Sequence, residues 1–143
     1  MSEGALPEPQ QPGSGVRVGH VHERVHLAAE HEEDVEMLVD TGATYSLISP
    51  ALADRLGVVR FPRKTTVTLA NGQRVEADAG LVMTQIGDRS AANIVIIAEC
   101  DEPLLGVESL ESLGLAVDPG SGTLRPTRAY TVRLGGLRSQ PPT

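Results

Sequence analysis

The sequence predicts a mainly β domain with two short helices, in a pattern compatible with a small barrel. Three observations carry this. Short aliphatic and β-branched runs are separated by closely spaced turn signals, among them Asn71-Gly72, Gly87-Asp88 and Asp118-Pro119-Gly120. Only two stretches carry helical start and stop signals. Aromatic residues make up 2% of the chain (Tyr45, Phe61 and Tyr130), so the core must be built from Val, Leu, Ile and Ala.

Residues 1–15 are rich in Pro, Gly, Gln and Glu, have almost nothing to bury, and read as a disordered leader. A folded domain is expected over 16–127, followed by a C-terminal strand and flexible tail over 128–143. From Val16 to Ala29 the pattern alternates. Val21, Val25 and Leu27 fall on one face, and His20, His22, Arg24 and His26 on the other. Glu30 to Asp34 reads as an acidic turn. Val35, Met37 and Val39 then share a face in a strand that runs into Asp40. Ser49 as N-cap, Pro50 in the first turn and Gly57 as a stop predict a two-turn helix.

Strands 65–70 and 74–77 flank Asn71-Gly72, a strong hairpin signal, and a further strand over 81–86 closes at Gly87-Asp88. The run 93–98 (NIVIIA) is apolar on both faces and should be a central, buried strand. Val107, Leu110 and Leu113 at helical spacing, stopped by Gly114, give the second helix. Strands at 115–117 and 123–125 bracket a tight turn, and 129–134 in the tail has strand composition.

The bulk chemistry excludes several classes of function. A net charge of -7 and the scarcity of aromatics oppose nucleic-acid binding, which needs clustered Lys and Arg or stacking platforms. The single cysteine, Cys100, cannot form an intrachain disulfide and reads as a small core residue. No stretch is long and apolar enough to span a membrane, and no secretory leader is seen, so a cytoplasmic location without membrane association is expected. The histidines His20, His22 and His26 read as a solvated strand face, and no metal or cofactor is expected.

The run Val39-Asp40-Thr41-Gly42-Ala43-Thr44 carries the chemistry, and it occurs once. Asp40 supplies a carboxylate. Thr41 can hydrogen-bond across to a counterpart or to backbone. Gly42 leaves room for a tight turn and for its N–H to approach the carboxylate. Ala43 is small where another chain or a substrate approaches, and Thr44 can donate to the outer oxygen of Asp40. Two such carboxylates in contact cannot both ionise easily and so share one proton. One then acts as general base on water while the other hydrogen-bonds a scissile carbonyl. With one motif per chain, such a pair requires two chains.

With its strand before Asp40, the apolar strand Ile94-Val95-Ile96-Ile97 and Leu104-Leu105-Gly106 opening a helix, the chain resembles the retroviral-type (retropepsin-like) aspartic proteases. The likeness is strongest to their small cellular relatives in bacteria and archaea. The resemblance covers about Val16 to Pro126. It implies a closed β domain, one lobe per chain, that dimerises through its Asp loops and terminal strands. It implies hydrolysis of peptide bonds by a water held between Asp40 of each subunit, with a peptide or protein as substrate. Asp40 matches the catalytic aspartate. Thr41 and Gly42 match the interlocking threonine and the turn glycine, and Leu104, Leu105 and Gly106 match a segment that passes beneath the Asp loop and supports it. Ala70, Asn71, Gly72 and Gln73 fall where a substrate-covering flap should lie, without the repeated glycines of retroviral flaps. The rival reading is a peptide-binding or scaffold module that keeps the fold and cleaves little. The acidic turn at 30–34, if near the cleft, would favour basic substrates and raise the pKa of the Asp pair.

Overall fold

A computed structural model describes residues 21–69 and 71–127. The leader 1–15, the tail 128–143 with its expected strand, the start of the first strand and Ala70 lie outside the described residues. Nine strands and two helices follow in order: β1 (His22–Ala28), β2 (Glu32–Val39), β3 (Ser46–Ile48), α1 (Pro50–Leu56), β4 (Thr65–Thr68), β5 (Arg74–Ile86), β6 (Arg89–Ile97), β7 (Leu104–Leu105), α2 (Val107–Leu113), β8 (Leu115–Asp118) and β9 (Thr123–Pro126).

One seven-stranded sheet has the order β1-β2-β7-β3-β6-β5-β4, and β8 and β9 form a separate antiparallel pair. A three-residue pairing also joins β1 to β5, His26 opposite Gln85. The contact between β3 and β7 is a single pair, Leu47 opposite Leu104. A closed barrel is not seen among the described residues. The domain is mainly β with two helices, as the sequence predicts.

Both helices obey their end signals. The Ser49 hydroxyl accepts the Leu52 N–H at 3.1 Å, Pro50 opens α1, and Gly57 ends it at φ 71°. Gly114 ends α2 at φ 70°, a left-handed conformation that costs glycine nothing. The alternation of β1 and β2 also holds, with Val25, Leu27, Met37 and Val39 all buried. They join Ile48, Leu52, Leu56, Leu105, Leu110 and Leu113 in one aliphatic core. Fully burying a leucine such as Leu105 or Leu113 stabilises the fold by roughly 1.5–3 kcal/mol.

Several boundaries depart from expectation. Residues 74–86 form one continuous strand rather than two, because Gly80 is a point of close approach and not a break. A Cβ at Gly80 would lie 2.5 Å from Val58 Cγ1 and 2.7 Å from the Val59 carbonyl oxygen. The buried run at 93–97 is the inner half of a longer strand, β6, which does sit centrally between β3 and β5. The acidic segment is only partly a turn, since β2 already begins at Glu32. Cys100 is half-buried in the loop after β6 rather than in the core, and burial beside Glu99 and Asp101 raises its thiol pKa.

Candidate active site

Asp40 follows directly on β2, and the loop 40–45 carries the chain across to β3. Between these two strands lies β7. It runs parallel to β2, with Leu38 opposite Leu104 and Val39 opposite Leu105, and antiparallel to β3. The Asp40 N–H donates to the Leu105 carbonyl at 2.9 Å. The backbone that presents the carboxylate is therefore held by the Leu104-Leu105 pair, whose Leu105 side chain is fully buried.

Within the loop, the Gly42 N–H donates to Asp40 Oδ1 at 2.9 Å, and the Ala43 N–H donates to the Asp40 carbonyl at 3.1 Å. A Cβ at Gly42 would stand 3.3 Å from that same Oδ1, so glycine is the residue that lets the amide approach without crowding the carboxylate. Asp40 is half-buried, whereas Thr41, Gly42 and Thr44 are exposed. Thr44 does not meet the carboxylate through its hydroxyl. It contributes its carbonyl, which accepts the Glu108 N–H at 2.9 Å.

The entry of α2 closes the arrangement. Helix N-termini leave backbone donors without intrahelical partners. Here the Gly106 N–H donates to Ser46 Oγ at 3.0 Å, the Val107 N–H to the Ala43 carbonyl at 2.8 Å, and the Glu108 N–H to the Thr44 carbonyl. Three successive amides are satisfied by the Asp40 loop and the strand after it. Gly106 is required by contact: its Cβ would be 2.6 Å from both the carbonyl carbon and oxygen of Tyr45.

On the face of β5 and β6 opposite the main core, Ala77, Ala79 and Ile96 form a second cluster. Half-buried Tyr45, Leu47, Phe61, Val67 and Ile94 pack against it. Tyr45 and Leu47 follow the Asp loop, while Val67 and Ala77 are the roots of the hairpin at 69–73. Its described residues Leu69, Asn71, Gly72 and Gln73 are exposed, with Gly72 at φ 87° and the Gln73 N–H donating to Asn71 Oδ1 at 2.9 Å. Nothing in the sequence shows that these residues meet, because they come from separate strands and loops. Sequence reasoning also missed Ser46 and Ser109, whose type alone carries no signal.

The acidic segment lies elsewhere. It occupies the end of β2 farthest from Asp40, so it does not flank that residue. Glu33 pairs with Arg55 at 2.9 Å, and His26 bridges Asp34 and Glu32 at 2.6 and 2.7 Å. A shallow hollow lined by Arg24, His26, Asp34, Gln85 and Gly87 belongs to that distant end too. His22 donates or accepts at 3.0 Å with Glu102. Among the described residues, no group of three or more His, Cys, Asp or Glu side chains is placed to hold a metal ion. No helix there is long and apolar enough to cross a membrane.

Comparison with known proteins agrees with this geometry. The chain is similar to the solved structure of the EIAV protease complexed with the inhibitor HBY-793, with a TM-score of 0.54 and 23% identity, over 65% of this chain and 86% of that one. At that identity the likeness speaks for the fold. No curated protein was found to match. Residues 26–112, which include both the Asp40 loop and Leu104-Leu105-Gly106, match the family model described as "gag-polyprotein putative aspartyl protease". The chain belongs to this aspartyl protease family.

Proposed function

We propose that the protein is an aspartic endopeptidase of the small cellular type, active as a homodimer in which Asp40 of each subunit forms one catalytic pair. The observation that carries this reading is the single Asp40 carboxylate. It stands at the rim of a loop whose backbone is fixed by Leu105 and the α2 entry, while Thr41 and Gly42 beside it are exposed. A hydrogen-bonded backbone beneath a half-buried carboxylate, with exposed neighbours, suits a group that must meet a second copy of itself.

In the proposed reaction the two carboxylates hold one proton between them. The ionised member takes a proton from water as that water attacks the scissile carbonyl. The protonated member donates to the carbonyl oxygen as the tetrahedral centre forms. Collapse breaks the C–N bond: the carboxyl that took the water proton gives it to the leaving amine, and a hydroxyl of the tetrahedral centre returns its proton to the other carboxylate, so the pair again holds one proton. The Gly42 N–H, already on Asp40 Oδ1, holds that oxygen in place. Thr41 would interlock the two loops across the dimer. The hairpin 69–73, rooted in the same apolar cluster as Tyr45 and Leu47, would cover an extended peptide that adds a strand within the cleft.

The test compares wild type with Asp40→Ala for cleavage of a mixed peptide library. Loss of all cleavage in the variant is expected. Equal cleavage by both removes the protease reading, and peptide binding without cleavage by wild type would favour a scaffold module. The rate should peak at mildly acidic pH, and a flat profile between about pH 4 and 9 would contradict a shared-proton pair.

A further inference from the structure

We propose that the buried hydroxyl pair of Ser46 and Ser109 is a positioning element for Asp40, acting through the Gly106 amide. The inference rests on the reading of Asp40 as catalytic. Ser46 is 2% exposed and Ser109 is fully buried, and their hydroxyls are 2.7 Å apart. Ser46 Oγ also accepts the Gly106 N–H at 3.0 Å. A hydroxyl in an aliphatic core costs free energy unless it is hydrogen-bonded, and these two satisfy each other and the Gly106 amide.

Gly106 is the N-cap of α2 and has no side chain to cap it. A capping side chain cannot be placed there, because the Tyr45 carbonyl occupies the space of its Cβ. Ser46, from β3, accepts the amide of the cap residue itself, while the Glu108 amide that a cap side chain would take goes to the Thr44 carbonyl. Of the three bonds that join the α2 entry to the loop and β3, the Ser46 bond is the one made by a side chain, and hence the one that sequence can alter without breaking the backbone. Ser109, one turn along the helix, fixes the orientation of the Ser46 hydroxyl. Its own carbonyl accepts the Ser112 hydroxyl at 3.0 Å, and Ser112 Oγ accepts from Asn93 Nδ2 at 2.7 Å. Ser112 thus meets the backbone of Ser109 and not its hydroxyl, and stands outside the Ser46–Ser109 pair.

Loss of the Ser46 acceptor would free the Gly106 amide and let the α2 entry shift against residues 43 and 44. Each Asp40 would then move relative to its counterpart. Carboxylates farther apart repel less, so the higher of the two apparent pKa values falls. The high-pH limb of the rate profile moves to lower pH as a result. A variant that merely reduced the folded fraction would lower the rate without moving that limb.

The experiment measures kcat, KM, the pH profile of peptide cleavage and amide exchange at Gly106 for S46A, S109A and S112A. Ser112 is the control, since its hydroxyl lies under the same helix and touches no residue of the Asp40 loop. For S46A the expected result is a fall in kcat of about 10- to 100-fold with KM nearly unchanged, a high-pH limb shifted to lower pH, and faster exchange at Gly106. S109A should move in the same direction by less, and S112A should move neither the limb nor the Gly106 amide. An S46A profile and Gly106 exchange matching those of S112A would overturn the inference. Should S46A fail to fold, an unshifted limb in S109A overturns it instead. Cleavage by D40N equal to wild type overturns the catalytic reading itself, and is distinguished from these outcomes because it does not depend on Ser46.

Discussion

Most of the bonds that hold Asp40 and the α2 entry come from backbone groups, and this makes glycine a sensitive residue type around it. Gly106 meets backbone atoms of Tyr45 and Ala43, which cannot swing aside as a flexible side chain would. Gly106→Ala is expected to destabilise the chain by about 1–3 kcal/mol in urea denaturation and to reduce cleavage beyond that loss. Gly72→Ala meets open space and only the strain of a positive φ, so it should cost about 1–2 kcal/mol in stability. His26 shows how a single side chain can make stability depend on pH. Its hydrogen bonds to Asp34 first and Glu32 second raise the imidazole pKa, and the same contact lowers that of Asp34. A folded-state pKa above the unfolded one means stabilisation fully present below the unfolded value and lost as pH rises through the folded one. For Asp34 the sign is reversed: its contribution holds above the unfolded carboxylate value and fades as pH falls through the lowered one. Thermal denaturation of His26→Gln should therefore show a lowered Tm at mildly acidic pH and no difference from wild type at alkaline pH.

At the scale of elements, local chemistry was legible where a turn or cap fixes it. Ser49, Pro50 and Gly57 bound α1 as their types require, and Ser49→Ala should cost about 1 kcal/mol of stability. Alternation placed Val25, Leu27, Met37 and Val39 in the core. The break expected between 77 and 81 is absent, because the glycine there admits a neighbouring backbone instead of ending the strand. Cys100 was misread because an apolar run just before it, ending β6, suggested burial that the following loop does not provide. The Asp40 loop and Leu104-Leu105-Gly106 could be picked out as motifs. The Ser46–Ser109 contact and the half-buried cluster around Tyr45 and Phe61 could not, because they arise from pairing between distant strands. The hairpin at 69–73 carries its own prediction. Replacing Asn71-Gly72 by two alanines should lower kcat/KM while leaving dimer sedimentation unchanged, and an unaltered kcat/KM would make it an ordinary surface hairpin.

For the whole molecule, the central claim is that one active site is built from two chains. The fold concentrates its aliphatic core behind the Asp40 loop and leaves Thr41, Gly42 and Thr44 exposed around a half-buried carboxylate. A two-fold arrangement brings the same patch of each subunit together, so each chain supplies one carboxylate and the pair exists only in the dimer. Activity per chain should therefore fall on dilution below the dimer dissociation constant. The most direct measurement mixes wild-type and Asp40→Asn chains at a fixed, saturating total concentration and allows them to exchange. Activity is predicted to follow the square of the wild-type fraction, about one quarter at equal mixing, because a dimer with one asparagine lacks the pair. A linear fall, about one half at equal mixing, would mean that each chain cuts on its own and would contradict the account.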